Sequence, residues 1–221
     1  PCQPRSVGER PGLSRRQFLG SVAGGVALSA LPAAVGLPSF KQKDYLRPPG
    51  ALRESDFLDH CLRCGLCAHV CPTNVIQMDV GSSGLAGLCT PVVNPRYGYC
   101  EYNCRKCLEV CPSHALKPLS LSEKQAFKIG TAVVDRSRCY TYADGYDCGV
   151  CEEHCPVPDK AIRFREVMVN NHRGELVKVR QIYVRPDLCI GCGICQNVCP
   201  RTDHPAIVVG PEEEDRTWLM P

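Results

Sequence analysis

The chain predicts an α+β fold of short elements and long loops, organised as two similar units, and three observations predict it. Sixteen of its eighteen cysteines fall into four groups that each end in Cys-Pro. A β-branched run and a charged turn lead into two of the groups, and a short apolar pair follows all four. Large core residues are scarce, with five Phe and one Trp in 221 residues. Bound groups must therefore do much of the packing, and folding should depend on them.

The first group is Cys61, Cys64, Cys67 and Cys71, spaced C-x2-C-x2-C-x3-C before Pro72. The fourth repeats that spacing with Cys189, Cys192, Cys195 and Cys199 before Pro200. The second is Cys100, Cys104, Cys107 and Cys111 before Pro112; the third is Cys139, Cys148, Cys151 and Cys155 before Pro156. This is the bacterial ligand run for 4Fe–4S clusters. A loop with a cysteine every third residue can wrap three corners of a cubane. The fourth cysteine points away and ligates a neighbouring cluster in two-cluster ferredoxins. The proline after it fixes φ and turns the chain away. Gly65, Gly191 and Gly193 let backbone amides approach the sulfurs. Sixteen cysteines thus predict four 4Fe–4S clusters in two ferredoxin-like units.

Zinc sites use two separated C-x2-C pairs or pairs with His, which fits four cysteines in eleven residues poorly. Disulfides between neighbours at x2 spacing would be strained. The shared spacing of the first and fourth groups suggests nested pairing. Cys199 would then complete the site of Cys61, Cys64 and Cys67, and Cys71 that of Cys189, Cys192 and Cys195. Likewise Cys155 would join Cys100, Cys104 and Cys107, and Cys111 would join Cys139, Cys148 and Cys151. Sequential pairing, first with second and third with fourth, is the alternative.

Along the chain, residues 1–37 form a leader. Arg15–Arg16 in SRRQFLG precedes an uncharged run from Phe18 to Leu37, the pattern of a twin-arginine export signal or a retained membrane anchor. That route carries folded proteins, as clusters inserted before export require. A periplasmic location on the outer face of the cytoplasmic membrane follows. Residues 38–56 read as a polar linker broken at Pro48-Pro49-Gly50, residues 57–210 as the cluster domain, and residues 211–221 as an acidic tail ending near Trp218. TAVVDRSRC and QIYVRPDLC read as a strand, a turn and a first ligand. Val75-Ile76, Ala115-Leu116, Ala161-Ile162 and Ala206-Ile207 should each begin a return strand or turn. EVMVNNHRGEL and VKVRQIYV form a hairpin that turns between Asn171 and Gly174, and Leu121 to Gly130 holds a short helix. Cys2 lies in the leader. Cys89 has no partner at ligand spacing and reads as a small buried residue. His69 and His154, in the last gap of their motifs, read as solvated.

The formal net charge of +3 misleads. Residues 1–36 carry Arg5, Arg10, Arg15 and Arg16 against Glu9, so they hold the whole excess, and the remainder balances. Four oxidised clusters with their thiolates would bring the remainder to roughly −8, which gives no support for a nucleic-acid partner.

From about residue 44 to 210 the chain resembles the exported ferredoxin-type proteins of the MauM/NapG family. The twin-arginine segment, LRPPGAL at 46–52, Phe57 before CLRCGLCAHVCP and the long gap from Cys139 to Cys148 carry the resemblance. The compact second motif departs from the longer gap of nitrate-reductase-linked members. The resemblance implies a membrane-bound, quinol-oxidising iron–sulfur partner and a periplasmic electron carrier or reductase as acceptor. The chain itself would be an electron-transfer subunit and not an enzyme. An iron–sulfur subunit of a molybdenum-type oxidoreductase is the alternative.

Overall fold

The computed structural model describes residues 45–81, 84–170 and 173–211. The twin-arginine leader with Cys2, the first part of the expected linker, Asn171 and the acidic tail beyond residue 211 lie outside the described residues. In chain order the elements are α1 (Glu54–His60), α2 (Leu66–His69), β1 (Ile76–Met78), α3 (Gly84–Gly87), β2 (Pro91–Val93), α4 (Lys106–Glu109) and α5 (Leu121–Ala126). There follow β3 (Thr131–Val134), a π-helix (Tyr140–Asp144), α6 (Val150–Glu153), β4 (Ile162–Asn170), β5 (Leu176–Val184), α7 (Ile194–Asn197) and β6 (Ile207–Gly210). None of these helices is long and apolar enough to cross a membrane.

The cysteine motifs impose this brevity. The third cysteine of each motif sits in one of the four-residue helices α2, α4, α6 and α7. Each helix stops where the last cysteine meets its proline, because a residue before Pro is disfavoured in the α region and Pro donates no N–H. The two motifs with a C-x2-C first gap enter their helices through Gly65 and Gly193 at φ 74° and 81°. Those left-handed values favour glycine. The motifs with longer first gaps enter through Arg105 and Gly149 at negative φ, so the extra residues remove that requirement.

Strand pairing repeats itself along the chain. Before the first motif, Ala51 bridges Leu116, which follows the second motif. Between those two motifs, β1 pairs antiparallel with β2, Ile76 opposite Val93. In the second half β3, before the third motif, pairs with β6, after the fourth, Thr131 opposite Gly210. There β4 and β5 form the expected hairpin, Ile162 opposite Val184 and Asn170 opposite Leu176. Val75-Ile76, Ala161-Ile162 and Ala206-Ile207 lead into β1, β4 and β6, as their sequence suggests.

One core holds the buried side chains. Phe57, Val75, Leu116, Phe127, Ile162 and Ile207 pack in it together with Cys67, Cys107, Cys139, Cys151, Cys189 and Cys195. The short helices pack in twos, α2 against α4 and α6 against α7.

Residues 45–56 are not a linker. Leu46, Arg47, Ala51 and Leu52 are buried. Arg47 donates to Glu54 Oε2 at 3.1 Å, Thr90 Oγ1 at 2.9 Å and the Pro91 carbonyl at 2.8 Å, and lies over the Phe57 ring. A buried guanidinium with this many acceptors ties the segment to α1 and β2. Polar composition suggested exposure, but the charge is satisfied internally. The long gap of the third motif is likewise docked. Tyr142 donates its hydroxyl to the Ile182 carbonyl at 2.7 Å. Arg180 holds Asp147 at 2.7 Å and covers the Phe164 ring. That guanidinium keeps the Asp147 carboxyl below the usual carboxylate range.

Gly98 stands where the chain returns to the second motif, and a Cβ there would lie 1.9 Å from the Thr73 carbonyl oxygen. Backbone cannot yield as a flexible side chain does. Gly98→Ala should destabilise the fold by about 1–3 kcal/mol, read as a lowered Tm of the loaded protein. An unchanged Tm would contradict the packing described.

Candidate iron–sulfur sites

Four cavities each gather four cysteines. The first is lined by Cys61, Cys64, Cys67 and Cys111; the second by Cys71, Cys100, Cys104 and Cys107. The third is lined by Cys139, Cys148, Cys151 and Cys199; the fourth by Cys155, Cys189, Cys192 and Cys195. All sixteen motif cysteines are thereby brought into sites of three plus one. The four cavities are alike in size, so one kind of occupant can serve throughout.

Nested pairing is overturned. Cys71 lies with Cys100, Cys104 and Cys107, and Cys111 with the first motif. Cys155 and Cys199 are exchanged between the third and fourth motifs. Equal spacing marks equal local geometry, not proximity. The pairings of β1 with β2 and of β3 with β6 fold each motif onto its neighbour in sequence instead.

The cavities fit an electropositive polynuclear group. Every described cysteine is free. Among the described residues, no three His, Cys, Asp or Glu side chains gather closely enough for a single ion, whereas one zinc draws its thiolates to about 2.3 Å. Burial pushes the thiols of Cys67, Cys151 and Cys192 up to about 12, and raises Cys107 and Cys195 as well. Neighbouring sulfurs add to each rise. Thiols raised in this way give up their protons at neutral pH only to a cationic occupant. At Cys71 burial also acts upward, but hydrogen bonds from Thr73 and from the backbone of Ile76 and Val75 outweigh it and lower the thiol.

Donors already point at sulfur. The backbone N–H groups of Leu116, Ala132 and Ala206 approach Cys111 Sγ at 3.4 Å, Cys189 Sγ at 3.4 Å and Cys199 Sγ at 3.3 Å. Arg201 lines the third cavity, and its Nε is a buried donor with no partner among the described residues. An orphaned N–H costs free energy unless something accepts it, and cluster sulfur would.

Sequence reasoning missed the residue two past each last cysteine. Thr73, Ser113, Val157 and Arg201 hold that position and line the second, first, fourth and third cavities. Their fixed offset from Cys-Pro was the available signal. Arg201 stacks on the Tyr140 ring at 4.0 Å and ion-pairs with Asp144, both from the π-helix in the long gap. His69 and His154 are exposed and line none of the four cavities. Cys89 is exposed, not buried; its φ of 58° turns the chain between α3 and β2.

Comparison with known proteins matches this arrangement. The 4Fe–4S dicluster domain model matches residues 60–115, 99–158 and 145–202. The first match spans the first and second motifs; the last spans the fourth and most of the third. The middle match joins motifs that share no cavity, so there the spacing alone satisfies the pattern. Ferredoxin-type protein NapG of Escherichia coli is 37% identical over 211 residues, 91% of this chain and 87% of that protein. Methylamine utilization ferredoxin-type protein MauM of Methylobacillus flagellatus is 34% identical over 198 residues, 88% and 77% of the two chains. This chain belongs to the NapG/MauM family of ferredoxin-type proteins. Like other NapG/MauM proteins it is an iron–sulfur electron-transfer protein. Ferredoxin-type protein NapF of Escherichia coli is also similar, 30% identical over 161 residues.

The exchanged cysteines give a direct test. Cys71→Ala with Cys104→Ala removes two ligands from one site. Iron in the purified protein should fall by about four atoms per chain, one cluster's worth. A fall of about eight would mean that the two cysteines serve different sites.

Proposed function

We propose that the sixteen cysteines hold four 4Fe–4S clusters in two tandem dicluster units, and that the chain relays single electrons between a quinol-linked membrane partner and a periplasmic acceptor. Each cluster supplies a one-electron couple with no change in bonding to the protein.

The observation that carries this reading is the junction between the halves. The Cys100 N–H donates to the Cys192 carbonyl at 2.7 Å, so the second and fourth sites adjoin. Gly191 and Gly130 meet beside them, where a Cβ on Gly191 would lie 2.5 Å from the Gly130 backbone. The first and second sites are joined by the exchange of Cys71 and Cys111, the third and fourth by that of Cys155 and Cys199. The sites therefore run in the order first, second, fourth, third. Cys64, exposed at the first site, brings one end of this row to the surface. The fourth site keeps Cys189, Cys192 and Cys195 buried inside the row. A row with its ends apart suits passage between two partners better than a single sensing centre would.

The membrane partner and the outer location rest on the family resemblance and on Arg15–Arg16. Replacing both arginines by Lys should leave loaded protein in the cytoplasm; an unchanged periplasmic yield would remove the export step. For the relay, Cys107→Ser alters an inner site. Anaerobic membranes given quinol should then reduce the periplasmic acceptor at least tenfold more slowly, while the variant still binds the membrane partner. A rate that does not depend on the chain would overturn the reading. Turnover of a small substrate by the chain alone, or copurification with a large catalytic subunit, would favour an enzyme subunit instead.

A further inference from the structure

Lys124 is the buried cation of the cluster region that faces no carboxylate within its hydrogen bonds. It lies on α5, which a capping box starts: Ser120 Oγ accepts from the Glu123 N–H at 3.3 Å, and Glu123 accepts from the Ser120 N–H at 2.7 Å. The helix aims Lys124 inward until the side chain is 2% exposed, a depth lysine rarely reaches unpaired. Its ammonium donates to the carbonyl of Glu101 and, at 3.1 Å, to that of Tyr102. Glu101 and Tyr102 directly follow Cys100, which lines the second site together with Glu101, so the ammonium sits beside that site. Both acceptors are neutral carbonyls, so no carboxylate cancels the positive charge through these bonds.

The other cations near the sites differ. Arg47, behind the first site, is neutralised by Glu54. Arg201, at the third, is neutralised by Asp144. Arg63, beside Cys61, is exposed and screened by water. At the fourth site the residue two past the cysteine is Val157, which offers no side-chain donor.

Resting on the four-cluster relay above, we propose that Lys124 gives the second site, held by Cys71, Cys100, Cys104 and Cys107, the highest reduction potential of the four, so that an electron entering the chain comes to rest there. Reduction adds one negative charge to the site, with no bond made or broken. A fixed cation in a low-dielectric interior stabilises that added charge strongly. Lys124 thus acts as a positioning charge. It does not itself carry the electron.

The test is an anaerobic redox titration of the loaded full chain with dithionite, followed by EPR, with iron counted in each sample. Lys124→Met keeps the apolar stem and removes the charge. The highest of the four midpoints should fall by at least 59 mV, a tenfold change in a one-electron equilibrium, with the other three unmoved. Lys124→Arg should restore most of it. An unmoved highest midpoint, or a shift shared equally by all four, would overturn the proposal. Should Lys124→Met fail to load, Cys104→Ser in the Lys124 background decides: the highest-potential signal must be the one altered, and alteration of a lower signal overturns the assignment. A count well below sixteen iron in the unmodified protein would instead count against the four-cluster reading itself.

Discussion

Each cysteine cavity is closed by one cysteine from the neighbouring motif, and the rest of the structure depends on that exchange. A motif supplies three sulfurs from one loop and a four-residue helix, then sends its fourth across to the adjacent site. No motif can complete a site alone. The pairings of Ala51 with Leu116, β1 with β2, β3 with β6 and β4 with β5 are the backbone expression of the same constraint. They draw the segments flanking two successive motifs together so that the crossing cysteines reach. The sulfurs are also core residues. Cys107, Cys151 and Cys195 pack with Phe57, Phe127 and Ile162, so loss of the metal group would leave an interior that the few large side chains cannot fill.

That the motif cysteines gather in fours was legible in the sequence because ligand spacing is a local property. So were the return strands and the β4–β5 hairpin, whose β-branched residues alternate along the chain. Pairing was not legible, since the match of the first motif with the fourth reports only that both use a left-handed glycine before the helix. Residues 45–56 looked like a linker because Arg47 and the prolines are polar or turn-forming. Their burial depends on Glu54, Thr90 and Pro91, which local sequence does not connect to them. Cys89 looked buried by residue type, yet it occupies an exposed turn. Lys124 carried no signal, since its partners Glu101 and Tyr102 lie more than twenty residues earlier, within the second motif.

The same comparison explains why four nearly identical sites need not be equivalent. The ligand sets and cavity sizes repeat, but the residues just outside them do not. The position two past the last cysteine changes from Ser113 to Thr73 to Val157 to Arg201, and the long gap of the third motif exists in the fold as the platform of Tyr140 and Asp144 that holds Arg201 in place. Potentials of iron–sulfur centres respond to net charge, hydrogen bonds to sulfur and solvent exposure. Exposure alone ranges from exposed Cys64 at the first site to buried Cys195 at the fourth.

The central claim is the order of the sites, first, second, fourth, third, set by the two cysteine exchanges and the contact between Cys100 and Cys192. Anomalous scattering at the iron edge from crystals of the loaded protein measures it most directly. The account predicts four iron centres in a single row, with those bound by Cys61 and Cys139 at its ends and those bound by Cys100 and Cys189 adjacent in its middle. A row with the Cys61 and Cys189 centres side by side, or two pairs separated across the junction at Cys100 and Cys192, would contradict it.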